Sequence, residues 1–114
     1  MRIAILLCCA GLLCGADVKT AVPWEKSTAA IGRDLFRENC AVCHDIDKDQ
    51  KHSHKFGPSL MHVFQNGQMP MSHAKASRQY VTVRIKFGGA LMPAFQKKLS
   101  DREIAELVDY IESK

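Results

Sequence analysis

Two thiols and an imidazole stand in one short run of the chain, Cys40-Ala41-Val42-Cys43-His44. Two Cys three apart, with His directly after the second, form the attachment signal for a c-type haem. On a helical turn Cys40 and His44 are i and i+4, about 6 Å apart along the axis and on one side. Cys43 flanks them, so two thioethers can reach the vinyl edges of a porphyrin while the imidazole meets the iron at its centre. Three other chemistries use the same residue types. A structural disulfide has no need of His44, and a thioredoxin-like pair belongs in a strand-helix-strand setting. A zinc site would add His52 or His54 to Cys40 and Cys43. Haem accounts both for the adjacent His44 and for the export signal that precedes it.

That export signal occupies residues 1–16: Arg2, an apolar run from Ile3 to Leu13, then the small-residue site Cys14-Gly15-Ala16. Cleavage after Ala16 is the expectation. The apolar run is short for a bilayer crossing, and Leu13 is bulky for a lipoprotein signal, so an uncleaved anchor and a lipidated Cys14 are the alternatives. Cleavage removes Cys8, Cys9 and Cys14, so the exported chain keeps only Cys40 and Cys43. With 114 residues, 46% hydrophobic and 25% charged, the chain has room for one soluble globular domain. A domain this small gains from an added core element. The formal charge of +4 is modest, and suits an acidic protein partner better than nucleic acid.

The elements that must position the motif follow a 3.6-residue period, and no run alternates with period two. Ser27 or Thr28 caps a first helix carrying Ile31, Leu35, Phe36 and Cys40, expected to end close to His44. Asp45 to Lys55 is a charged loop, Gly57-Pro58 a turn, and Leu60 to Phe64 a short helix closed by Asn66-Gly67. Ser77 caps a second long helix with Tyr80, Val81, Ile85 and Phe87 inward, ended by Gly88-Gly89. Ser100 and Glu103 form a capping box for a last helix, where Ile104, Leu107, Val108 and Ile111 share one face.

These residues together resemble class I cytochrome c. Gly32 and Phe36 ahead of Cys40-Ala41-Val42-Cys43-His44 are similar to that family's first helix and haem motif. Gly57-Pro58-Ser59-Leu60 resembles its proline turn. Ile85 and Gly88 followed by Met92-Pro93-Ala94-Phe95 resemble its methionine loop, and Leu99 to Ile111 its last helix. The resemblance implies an all-α fold wrapped around one covalent haem c, with residues 17–29 as a lead-in and 30–114 as the cytochrome c domain. It also implies that the Pro58 carbonyl accepts a hydrogen bond from His44, and that the first and last helices cross at Gly32 and Tyr110.

The second axial ligand has several candidates: Met61, Met69, Met71, Met92, His52, His54, His62 and His73. Met92 ranks first because its loop lies well beyond His44 and leads directly into the last helix, which lets the chain wrap the ring and return. The resemblance points to the same residue. Met69-Pro70 is the nearest imitator, and Met61, Met69 and Met71 also fit a packing role. His52, His54 and His73 are expected in solvent, and His62 half-buried beside Leu60 and Val63.

Ligation by His44 and Met92 fills both axial positions and raises the potential relative to two imidazoles. The expected function is therefore single-electron shuttling between redox proteins, with no catalytic residue. An open haem site acting as a peroxidase-like enzyme or gas sensor is the alternative, and a small zinc or thiol protein the remoter one. Lys48, Lys51, Lys55, Lys86, Lys97 and Lys98 either border the haem edge and steer an acidic redox partner, a membrane-bound redox complex among them, or are simply solvated. The expected setting is the bacterial periplasm and the expected state a monomer.

Overall fold

The computed structural model describes residues 26–114, so the expected signal at 1–16 and the lead-in as far as residue 25 lie outside the described residues. The regular elements are α1 (Thr28–Asn39), α2 (Arg78–Phe87) and α3 (Asp101–Glu112). Among the described residues there is no strand, only an isolated antiparallel bridge between Gln68 and Lys75. The all-α class stands.

Each helix begins where a Ser hydroxyl accepts an otherwise orphaned amide. Ser27 takes that of Ala30, Ser77 that of Tyr80 and Ser100 that of Glu103, where the reciprocal bond completes the capping box. The apolar face of α3 is the centre of the fold: Ile104, Leu107, Val108 and Ile111 are all buried. Each such side chain contributes about 1.5–3 kcal/mol relative to exposure.

α1 crosses α3 at Gly32 and Tyr110, as the resemblance implies. A methyl on Gly32 would stand 2.2 Å from the Glu106 carbonyl oxygen and 2.8 Å from Tyr110 Cβ. Only a hydrogen fits between the backbones. One turn on, the Phe36 and Tyr110 rings meet at 5.7 Å between centroids, tilted by 57°. α2 is joined to α3 through Arg78, which pairs with Asp109 at 2.5 Å and with Glu112.

The structure corrects four local expectations. α1 stops at Asn39 instead of near His44, because the Phe36 carbonyl takes the amides of both Cys40 and Ala41 and so closes the helix. The segment Leu60–Phe64 is a series of turns and no helix, since His62 sits at φ 55°, outside the right-handed region. The same conformation leaves His62 exposed instead of half-buried. Phe87 points outward, 60% exposed, because Val81 and Ile85 define the buried stripe of α2 and Phe87 lies half a turn from it.

Candidate functional site

Residues 40–44 form a turn of their own beyond α1. The Cys40 carbonyl accepts the amides of Cys43 at 3.0 Å and His44 at 2.9 Å. The second bond is helical in pattern, so the i, i+4 relation of Cys40 and His44 survives although the helix has ended. Cys40 is buried and Cys43 half-buried, and both thiols are free. Burial pushes the Cys40 thiol up to about 11, with neighbouring Cys43 adding to the rise and Lys98 opposing it. A thiol so protonated is a poor reagent for disulfide exchange, which needs the thiolate. Thioether formation is a different chemistry, in which S–H adds across a vinyl double bond.

His44 is held from two sides. Its Nδ1 lies 2.7 Å from the Pro58 carbonyl oxygen. A carbonyl can only accept, so Nδ1 carries the proton and Nε2 keeps its lone pair for a metal. Gly57 closes the other side: a Cβ there would meet His44 Cε1 at 2.6 Å and Nδ1 at 2.8 Å. The Gly57 amide also donates to the Cys43 carbonyl at 2.7 Å, which staples the proline turn onto the Cys-His turn. Behind it, buried Ser59 joins its own turn to the 45–56 loop: its hydroxyl accepts the Met61 amide at 3.2 Å and donates to the Lys48 carbonyl, and its amide donates to Gln50 Oε1 at 2.8 Å.

Met92 is half-buried and packs against the core cluster that includes Cys40. Its loop is tied at both ends. The Gly89 amide donates to the Met92 carbonyl at 2.9 Å, and the Phe95 amide to Ile85 at 3.0 Å. Gly88 makes the turn into the loop at φ 71°, and a side chain there would strike the Met92 carbonyl oxygen at 2.3 Å. Met69 is also half-buried against the core, in the small loop closed by the Gln68–Lys75 bridge. Met61 is half-buried, Met71 is 77% exposed, and His52, His54, His62 and His73 are all exposed.

The zinc set is not assembled. Among the described residues no three His, Cys, Asp or Glu side chains converge as a metal site, and His52 Nδ1 is engaged by Asp49 at 2.6 Å. The residues do fit a haem: two free thiols in one turn, an imidazole whose outer nitrogen is already committed, and apolar side chains that flank the site. Val42 beside Cys43, Phe56 beside Gly57 and Leu91 beside Met92 are each at least 75% exposed. Large apolar groups left this exposed next to site residues are what an apolar ring bound there would cover.

Two contributors were not legible as site residues. Gly57 reads from the sequence as a turn glycine and gives no sign of its fit against His44. Lys55 reads as one surface charge among several, yet its ammonium donates to the carbonyls of Ala41 and of His44, the latter at 3.3 Å.

Among the described residues, three helices and no strand accompany a Cys-x-x-Cys-His turn whose histidine meets a proline carbonyl, the frame of a cytochrome c domain. A family model described as "Cytochrome C oxidase, cbb3-type, subunit III" matches residues 27–111, and the chain belongs to that family. Haem binding and electron transport come with that membership. No helix among the described residues is long and apolar enough to cross a membrane.

Proposed function

We propose that this chain is a one-electron carrier in which Cys40 and Cys43 tether one haem c, His44 and Met92 are its axial ligands, and Pro58 orients His44. The observation that carries the reading is the bond from His44 Nδ1 to the Pro58 carbonyl at 2.7 Å, which leaves Nε2 to ligate within a turn whose two thiols are free. Bound haem supplies an iron that changes oxidation state by one electron. The chain's own residues do the rest. Pro58 strengthens His44 as a donor, Gly57 keeps the ring from tilting, and the core face of α3 excludes water.

Met92 is favoured over Met69 because its loop is pinned on either side to the end of α2 and leads straight into α3. A thioether in the second axial position stabilises the reduced iron and closes the site to small ligands. The matched family's description names a subunit of a cbb3-type cytochrome c oxidase, so the proposed partner is a membrane redox complex that donates or accepts the electron. Exposed Lys97 and Lys98, close to the Met92 loop, would meet an acidic docking surface. An exported domain, with residues 1–16 as its signal, 17–29 as lead-in and 30–114 as the cytochrome c domain, fits extracytoplasmic work.

The test is the visible spectrum of the purified protein in both oxidation states. Colour retained through acid and organic extraction establishes the covalent haem, and its loss refutes it. The far-red sulfur-to-iron band should vanish in Met92→Ala and persist in Met69→Ala; the reverse pattern assigns Met69. Rapid, complete carbon monoxide binding by the reduced protein at neutral pH would replace the carrier with an open-site enzyme or sensor.

A further inference from the structure

The Cys40–His44 turn presents more carbonyl oxygens than the backbone can satisfy. That of Cys40 takes two amides and that of Cys43 takes Gly57, but those of Ala41 and His44 meet no backbone donor among the described residues. Lys55 supplies both. Its Nζ donates to the Ala41 carbonyl and, at 3.3 Å, to the His44 carbonyl, while the Asp45 carboxylate stands at 3.4 Å as counter-ion. An ammonium has three protons, and two of them are given to these carbonyls. The Lys55 side chain is only 34% exposed.

A solvated surface lysine would not spend two of three donors on main-chain carbonyls of a single turn. The two carbonyls are moreover those of the residue following one tethering thiol and of the imidazole residue itself. Lys55 is also only two residues from Gly57, so the segment that stops the ring of His44 also ties down its backbone.

We propose that Lys55 is a positioning residue of the haem site, clamping the Cys40–His44 turn from outside and fixing a positive charge beside the proximal ligand. The proposal rests on the reading of that turn as the haem tether. It has two separable consequences. The hydrogen bonds restrict opening of the turn, and the charge favours the reduced, more electron-rich iron.

The holoprotein is compared as wild type, Lys55→Met, Lys55→Gln and Lys55→Arg, by amide hydrogen exchange and by voltammetry. Lys55→Met should speed exchange at Cys43, His44 and Gly57 by about tenfold relative to α3 amides such as Leu107, the scale of a charged hydrogen bond discounted for exposure. It should also lower the reduction potential. Lys55→Arg should restore both. Lys55→Gln, which keeps donors and loses the charge, should restore the exchange protection but leave the potential low. Unchanged exchange and potential in Lys55→Met overturn the proposal. Should Lys55→Met give no folded holoprotein, Lys55→Gln decides: a lowered potential with protected amides supports the clamp, and an unchanged potential overturns it. A pyridine haemochrome spectrum of the same samples reports the tether separately, so a failure of the haem reading is not mistaken for a failure of Lys55.

Discussion

Gly57→Ala perturbs the site through one methyl group whose surroundings are known. The added carbon would stand 2.6 Å from His44 Cε1, 2.8 Å from Nδ1 and 2.7 Å from the Cys43 carbonyl oxygen, where ordinary contact begins at 3.4 Å. Something must therefore retreat by about 0.8 Å to reach a normal separation. The proline turn cannot do so freely, because the Gly57 amide holds the Cys43 carbonyl at 2.7 Å. The displacement falls on the imidazole and stretches its 2.7 Å bond to Pro58 to about 3.5 Å, beyond useful hydrogen-bond length. Overpacking of this kind costs about 1–3 kcal/mol and the lost hydrogen bond about 1 kcal/mol more. The holoprotein should thus lose about 2–4 kcal/mol in urea unfolding, followed by haem absorbance and far-ultraviolet circular dichroism. Its potential should rise, since an imidazole without the Pro58 acceptor donates less to ferric iron. Wild-type stability to within about 0.5 kcal/mol together with an unaltered potential would refute the geometry on which the site is built.

Gly32→Ala should destabilise thermal unfolding by about 2 kcal/mol, because overpacking against Glu106 and Tyr110 outweighs the roughly 1 kcal/mol of helix propensity gained. A variant as stable as wild type would contradict the α1–α3 crossing. Glu103 is held below the usual carboxylate range, first by the Ser100 amide and then by its hydroxyl. Its contribution is complete above the ordinary Glu value and fades as pH falls through the lowered folded value. The urea midpoints of wild type and Glu103→Gln should therefore differ at pH 7 and converge in acid; a gap that widened in acid would reverse the sign. Arg78→Ala removes the half-exposed fork to Asp109 and Glu112 and should cost less than about 1 kcal/mol, less still in high salt. A loss above about 2 kcal/mol would mean that the fork organises the α2–α3 contact.

What the sequence by itself determined is local. The Cys40–His44 turn, the Ser27, Ser77 and Ser100 caps and the apolar stripe of α3 each depend on groups a few residues apart, so the spacing of residue types carries the geometry. Tertiary structure decided the rest. Leu60 to Phe64 has helical spacing, but His62 turns to positive φ and the segment is spent on turns. Phe87 shares the apolar character of Val81 and Ile85 while lying on the other side of α2, and burial follows the side. The fit of Gly57 against His44 and the reach of Lys55 to the carbonyls of Ala41 and His44 span eleven to fourteen residues, over a loop with no periodic pattern. Such contacts depend on where the folded chain brings two segments together, and a residue type alone carries no record of that distance.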